Sequence, residues 1–405
     1  MDIEERRSIG ALEALFLSWD YSDPKHFVIT AEIEGKSTAD SWSEAVAALQ
    51  QRHPILTFKL GKIDGSEIYF DAQKDFKIPL KFGTKSSKSI ILELEKELVK
   101  KIDPINDPLI RITLNHEAEN CTIIVAAYHP AADGMSVIFL INDSLTAVSG
   151  GILKEPSLSP SIDAMLGFDN KSIGEKLIKK LTPEYISELI SKRKLVPPAQ
   201  IQIVQFSEAL TRKLIKKAKK EKTSVHGVLQ AAAAVAMFHL SSKADSELVI
   251  MSPISARTLL NISDDIGMYS ISNITNIALG DILNFWELAR SNKENMASSS
   301  NIDYLITYME QVRRLVGSTD DLNDFIDQSL GFDVMLSNLG RYPFPSNYGL
   351  LNIKTIYGPM IMPGAGKGQA LGVITVNGKL TLTNTSRYPV VGLLLCMEKY
   401  IGEVC

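Results

Sequence analysis

The run Cys121 to Tyr128 (CTIIVAAY) is continuous, apolar and rich in β-branched residues, as a buried strand requires. From Gly134 to Val148 the pattern changes to helical spacing, with apolar residues at Val137, Ile138, Leu140, Ile141 and Leu145. A strand that hands over to a helix is therefore predicted, with a short polar interval between them. Earlier in the chain, His26 to Gly35 alternates, and helices are expected around Ala39 to Gln51 and Ile90 to Ile102. Residues 26 to 150 thus read as a mixed α+β unit. A polar, lysine-rich segment from Asp169 to Lys194, closed by Pro197-Pro198, reads as a crossing linker with a helix inside it. Beyond it, Ser207 to Lys222 is amphipathic, and Thr223-Ser224 stands as a cap before the alanine-rich helix Val225 to Leu240, whose small residues suit close packing. Strands at Glu247 to Met251 and Asn273 to Leu279, one long helix around Trp286 to Val316 and a strand-rich end complete the pattern. The chain divides into residues 1–170, a linker 171–198 and residues 199–405, without a strict sequence repeat.

The interval between the first strand and its helix reads Y-H-P-A-A-D-G-M-S from Tyr128 to Ser136, an H-x-x-x-D-G element. His129 falls where a side chain can face a cleft while its backbone is held by rigid elements. It is the candidate catalytic base. Asp133 suits the start of the helix as a cap, and Gly134 suits a tight bend. A satisfied buried histidine beside a capping aspartate would give the same letters, so the element alone leaves both readings open.

The flanking text, taken in order, resembles the thioester-dependent acyltransferases of the chloramphenicol-acetyltransferase-like fold, a superfamily that includes nonribosomal peptide condensation domains, plant BAHD enzymes and polyketide-associated acyltransferases. Ile9 to Trp19, the alternating run from His26, the helix around Trp42 and Arg52-His53-Pro54-Ile55-Leu56 resemble its opening strand, first helix and R-H-P-x-L element. Asp107-Pro108-Leu109-Ile110-Arg111 is similar to its P-L-x-R strand, Ser252 to Arg257 with Ile266-Gly267-Met268 to its P-x-x-x-R and following glycine, Phe332 to Gly340 to its S-N-x-G strand end, and Val376 to Leu380 to its late hairpin. Tyr128 stands where peptide condensation domains usually have a first histidine, and no D-F-G-W-G string occurs. Standalone bacterial enzymes that esterify hydroxyls are the nearest likeness. The resemblance implies two similarly folded α/β halves related by pseudo-twofold symmetry, a tunnel between them with His129 at its centre, and Asp133 as a structural partner of Arg257.

Acyl transfer needs a base to take the acceptor's proton, and a neutral imidazole suits that task. The donor expected is acyl-CoA or a phosphopantetheinyl thioester on an acyl carrier protein, as co-substrate rather than resident cofactor, and the acceptor a small molecule of the kind made in secondary metabolism. No G-x-S-x-G turn suggests a covalent acyl-enzyme. Asn338 is the candidate for acceptor or oxyanion contact, against its reading as a turn asparagine before Gly340. A freestanding condensation enzyme forming amides, or a non-catalytic scaffold that binds a carrier protein, are the alternatives.

Composition narrows the classes further. A formal net charge of -4 offers no electrostatic case for nucleic acid. Three cysteines in no metal-ligand or C-x-x-C spacing make a poor disulfide framework, so no metal and a reducing cytoplasm are expected, with the protein a monomer. No apolar stretch is long enough to span a bilayer, and the N-terminal residues lack a secretory core. Asp143-Ser144-Leu145 resembles a phosphopantetheine-bearing serine but sits in an apolar helix pattern, and Gly364 to Gln369 has the wrong spacing for a phosphate loop and reads as a loop covering the tunnel. His226 and His239 read as packing or surface residues. Lys216, Lys217, Lys219, Lys220 and Lys222 read as a solvated helix face that an acidic carrier or the phosphates of coenzyme A would suit.

Overall fold

In the computed structural model, residues 6–20, 24–63, 67–73, 76–78, 80–83, 90–117, 119–170, 173, 175, 197–241, 247–318, 331–364 and 366–405 are described. The strands are β1 (Arg6–Ser8), β2 (His26–Gly35), β3 (Phe58–Ile63), β4 (Glu67–Ala72), β5 (Leu80–Gly83), β6 (Ile110–His116), β7 (Asn120–Tyr128), β8 (Gln200–Gln205), β9 (Leu248–Ser255), β10 (Ser270–Ile277), β11 (Val334–Arg341), β12 (Asn347–Tyr348), β13 (Leu351–Ile361), β14 (Gln369–Val376) and β15 (Lys379–Ser386). The helices are α1 (Ala11–Asp20), α2 (Ala39–Arg52), α3 (Ile90–Val99), α4 (Gly134–Val148), α5 (Ile162–Met165), α6 (Glu208–Lys220), α7 (Val225–Leu240), α8 (Phe285–Ser298), α9 (Ile302–Ser318) and α10 (Leu393–Val404).

The architecture is α+β. One six-stranded sheet runs β12-β13-β2-β7-β6-β5, a second runs β10-β9-β11-β14-β15-β8, and β1-β4-β3 form a small third sheet. The alternation in β2 places it antiparallel to β7 in a register that pairs His26 with Tyr128 and Ile33 with Cys121. β7 is buried along almost its whole length, which explains its unbroken apolar run. Helix caps follow the local sequence. Thr38 and Ser41 form a reciprocal capping box at α2, and the Ser224 hydroxyl accepts the Gly227 N–H at 3.0 Å to start α7. The alanines of α7 are buried between the second sheet and the neighbouring helices α8 and α10.

Two features depart from the sequence pattern. The helix expected from Trp286 to Val316 is broken into α8 and α9 at Ser299-Ser300-Asn301, where Asn301 and the serine hydroxyls bond backbone groups at 2.7–3.3 Å and compete with helix continuation. The sheets do not follow the division expected at residue 199: β12 and β13, from beyond it, complete the first sheet, β13 pairing antiparallel with β2 from Leu351↔Gly35 to Ile361↔Phe27. β13 also crosses closely over β14, since a Cβ at Gly372 would lie 2.2 Å from the Pro359 carbonyl oxygen. Glycine is required there. The linker 171–198 falls almost entirely outside the described residues.

The halves are further joined by residues 151–161, whose backbone is a strap. Arg7 Nε donates to the Ser159 carbonyl at 3.0 Å, and the Tyr269 hydroxyl donates to the Ser159 and Pro160 carbonyls at 3.1 and 3.0 Å. Arg52, from the R-H-P-x-L element, reaches Asp264 at 3.1 Å. Among the described residues no single helix is long and apolar enough to cross a membrane, and no group of His, Cys, Asp and Glu side chains is arranged to hold a metal ion.

Candidate active site

A pocket opens between the two halves, its wall drawn from α1 (Phe16, Trp19), β2 (Phe27), the turn after β7 (His129), β9 (Met251, Pro253), α9 (Tyr308), β11 (Met335, Ser337) and β13 with its following residues (Ile361, Met362, Pro363). The wall is largely aromatic, thioether and aliphatic, with a few polar groups converging on it.

His129 begins a short 3-10 turn, His129–Ala131, that connects β7 to α4. Its N–H donates to the Lys25 carbonyl at 2.9 Å, which extends the β2–β7 ladder by one step. The ring lies between Phe16 and Phe27, with centroids 4.4 and 5.0 Å away. Nδ1 is buried. It has no hydrogen-bond partner among the described residues, and the residue lines the pocket. Burial depresses the imidazole pKa to about 4, outweighing the backbone of His129 and Ala132 and the Asp133 carboxylate, which raise it, while the Lys25 charge adds to the depression. Burial therefore favours the neutral imidazole at physiological pH.

That shift has a measurable sign. The free-base form persists down to about pH 4 rather than 6.5, so the acid limb of a kcat/KM profile is expected near the lower value; a limb centred at 6.5 would contradict the burial argument. Between those values the folded chain binds fewer protons than the unfolded one, so this residue makes native stability fall as pH is lowered through the window.

Asp133 is the N-cap of α4. Its Oδ1 accepts from the Ser136 N–H at 2.8 Å, from the Ser136 hydroxyl at 2.8 Å and from Arg257 Nη2 at 2.9 Å, while Oδ2 accepts the Tyr269 N–H at 3.3 Å. Both oxygens are therefore engaged with the second half of the chain, and neither is bonded to the imidazole. Arg257 also donates to the Asp265 carbonyl at 2.7 Å and to Ser136 at 2.8 Å, and its guanidinium lies 5.1 and 4.9 Å from the Phe139 and Tyr269 rings. The Asp133–Arg257 contact joins the two halves directly beneath the His129 turn.

Gly134 departs from its expected use. It is the first residue of α4 and takes no left-handed angle, so no tight bend depends on it. What it provides is room: a Cβ there would approach Leu339 Cδ2 at 2.9 Å on the pocket wall. Asn338 also stands differently. Its Oδ1 accepts the Gly340 N–H at 2.8 Å, and Gly340 takes φ +75°, so the side chain closes its own turn, as the second reading had it. The residues of β11 on the pocket wall are Met335 and its neighbour Ser337, because side chains alternate across a strand.

Sequence reasoning missed Ser136, which bonds Asp133, Arg257 and the Gly267 backbone. A D-x-x-S spacing at the helix start was the available signal. It also missed Lys25, which is buried on the pocket wall. Ser144 is buried and donates to the Leu140 carbonyl at 2.6 Å, so it cannot carry a prosthetic arm in this fold. His226 is a packing residue bonded to Ser252 at 3.0 Å, and Lys216, Lys219, Lys220 and Lys222 are exposed.

Residues 196–277 match the family model of the phthiocerol/phthiodiolone dimycocerosyl transferase C-terminus. Among solved structures, the chain resembles trichothecene 15-O-acetyltransferase from Fusarium sporotrichioides at TM-score 0.71, with 15% identity over 99% of this chain and 94% of that one. It resembles polyketide synthase associated protein 5 from Mycobacterium tuberculosis at TM-score 0.65, with 15% identity over 98% and 97%. The chain shares the fold of these solved structures. The epimerization domain from the third module of tyrocidine synthetase B shares it at TM-score 0.67, with 14% identity over 99% and 97%. At the level of sequence, no curated protein matches.

Proposed function

We propose that the protein is an acyltransferase that moves an acyl group from a CoA or carrier-protein thioester to a hydroxyl of a small-molecule acceptor. The observation that carries this reading is a histidine kept neutral by burial, on the wall of a pocket lined by both halves of a fold shared with an acetyltransferase. In the tautomer with the proton on Nδ1, Nε2 holds the lone pair. It takes the alcohol proton as the oxygen attacks the thioester carbon, and the carbonyl π pair moves to oxygen. Collapse of that tetrahedral intermediate re-forms the carbonyl and breaks the C–S bond. The imidazolium returns its proton to the departing thiolate, so the products are an ester and a free thiol. The predominantly apolar wall favours an apolar acyl group or acceptor over a highly charged one.

Tyr128, in place of the first histidine usual in peptide condensation domains, favours the ester over the amide. Among the described residues no serine or cysteine bonds His129 Nδ1, which favours direct transfer in a ternary complex. Mass spectrometry with a panel of acyl-CoAs, carrier-bound acyl groups and alcohols tests the reading. Thiol should be released rapidly only when donor and acceptor are both present. Trapping a stoichiometric acyl-enzyme from donor alone, competent to acylate the acceptor, would refute direct transfer; absence of ester with every pair would refute the activity.

A further inference from the structure

The two walls of the pocket differ in chemistry. The first half supplies Phe16, Trp19 and Phe27 beside His129. The second half supplies hydroxyls: Ser270 and Ser272 from β10, Ser337 from β11 and Tyr308 from α9. Strand register puts the serines there. Ser272 pairs with Pro253 and Met335 with Met251, and all four line the pocket. Ser337 follows Met335 by two residues as Pro253 follows Met251 on the neighbouring parallel strand, so Ser272 and Ser337 flank Pro253, about 10 Å apart at the usual strand spacing. Ser270, two residues before Ser272, shares its face of the sheet.

A serine oxygen is bonded directly to Cβ, so a serine that faces the pocket presents its hydroxyl there, whereas the end of a long side chain can turn away. Among the described residues no group bonds the Ser270 or Ser337 hydroxyl, and neither oxygen is enclosed. Tyr308 is in hydrogen-bonding contact with Ser272, and burial raises its pKa, so the phenol keeps its proton. The neighbouring Tyr304 hydroxyl donates to the Ser272 carbonyl at 2.8 Å and holds α9 against β10. The Tyr269 N–H donates to Asp133 at 3.3 Å, so β10 begins beside the cap of α4, four residues after His129. None of the described second-half residues on the pocket wall is charged.

On the acyl-transfer reading above, we propose that the acceptor is a neutral polyol, carrying further hydroxyls besides the one acylated, and that Ser270, Ser272 and Ser337 select it. Each serine hydroxyl both donates and accepts, as a substrate hydroxyl does. An alkyl chain laid along this wall would leave those hydroxyls without partners, the penalty by which a polar-lined site rejects an apolar analogue. The aromatic wall and the methionines suit the acyl chain and the carbon skeleton of the acceptor instead. The serines exchange no proton and form no covalent bond; they hold the acceptor while one of its hydroxyls meets His129.

Cyclohexanol, vicinal cyclohexanediol and myo-inositol carry successively more hydroxyls on one ring skeleton and serve as probes. Their binding to the unaltered full chain, followed by saturation-transfer NMR with no thioester present, needs no turnover and so stands apart from the acyl-transfer reading. Affinity should rise along the series. Ser272→Ala and Ser337→Ala, shown to be folded by thermal melts, should each weaken binding of the polyol that binds best by about 3–10-fold and that of cyclohexanol by less than about two-fold. With a thioester that the wild type uses, acceptor KM should rise to the same extent while kcat and donor KM change by less than about two-fold. Equal binding of all three alcohols overturns the assignment without recourse to any variant. So does polyol binding unaltered in both folded variants, or a loss that falls on kcat or on donor KM, which would give these hydroxyls to the oxyanion or to the thioester arm. Serine-dependent polyol binding with no ester formed from any thioester would uphold the polyol site and refute the transfer reading.

Discussion

Replacing His129 with alanine lowers turnover by about 100-fold or more and leaves the fold intact, as expected for loss of a general base. On the proposed mechanism the loss is large because His129, on the pocket wall, is the group that takes the alcohol proton, and removing it leaves only water to do so. The fold survives because the ring's neighbours are the faces of Phe16 and Phe27, and the turn is held by backbone bonds, His129 N–H to Lys25 and Ala132 N–H to His129. Steady-state kinetics beside a thermal melt separate the two effects. A folded alanine variant with near-normal turnover would remove His129 from the mechanism. His129→Gln, which keeps bulk and polarity without a basic nitrogen, should be equally inactive.

Loss of either partner of the Asp133–Arg257 pair is expected to cost about 3–5 kcal/mol of stability, because the remaining charge would be buried alone. The side chains are only 3% and 6% exposed, and each makes a further bond across the junction between the halves, Arg257 to Ser136 and Asp133 to the Tyr269 N–H. Asp133→Ala strips the cap from α4 as well as the counter-charge, and Arg257→Ala removes the guanidinium from the faces of Phe139 and Tyr269. The double variant should lose much less than the sum, since no unpaired charge is left behind. Activity should fall in step with stability, through displacement of the His129 turn four residues before the cap. Chemical denaturation of the four proteins measures the coupling. Additive losses would show that the two residues act independently. Lys36–Glu119, an exposed pair at 3.4 Å, is the control, and its removal should cost at most about 1 kcal/mol.

Much of the first half was legible before any coordinates. β2 and β7 lie at the limits their apolar patterns set, α4 starts at Gly134 behind its aspartate cap, and α7 occupies Val225–Leu240. These are local properties. Strand alternation, helical period and capping are written within three or four residues of one another, so a one-dimensional reading finds them. The H-x-x-x-D-G element likewise located the turn and its histidine, and the ordered motifs around it carried the acyltransferase resemblance.

The sequence by itself determined that a histidine would stand between a buried strand and a capped helix in an α+β chain of this size. Only the tertiary structure decided what surrounds it. Whether Asn338 faces the cleft or its own turn depends on which side of β11 meets the pocket, and the strand sets Ser337 there instead. Ser136 reads locally as a helix residue, yet its partners Arg257 and Gly267 lie more than 120 residues away. Lys25 looks like a surface lysine until β2 pairs with β7 and α1 folds over it. β13 belongs by sequence to the second half and by hydrogen bonding to the first sheet. Such pairings depend on free energy gained between distant segments, through burial of apolar faces and satisfaction of backbone groups at strand edges, and no local spacing of residue types encodes which edge a strand will choose.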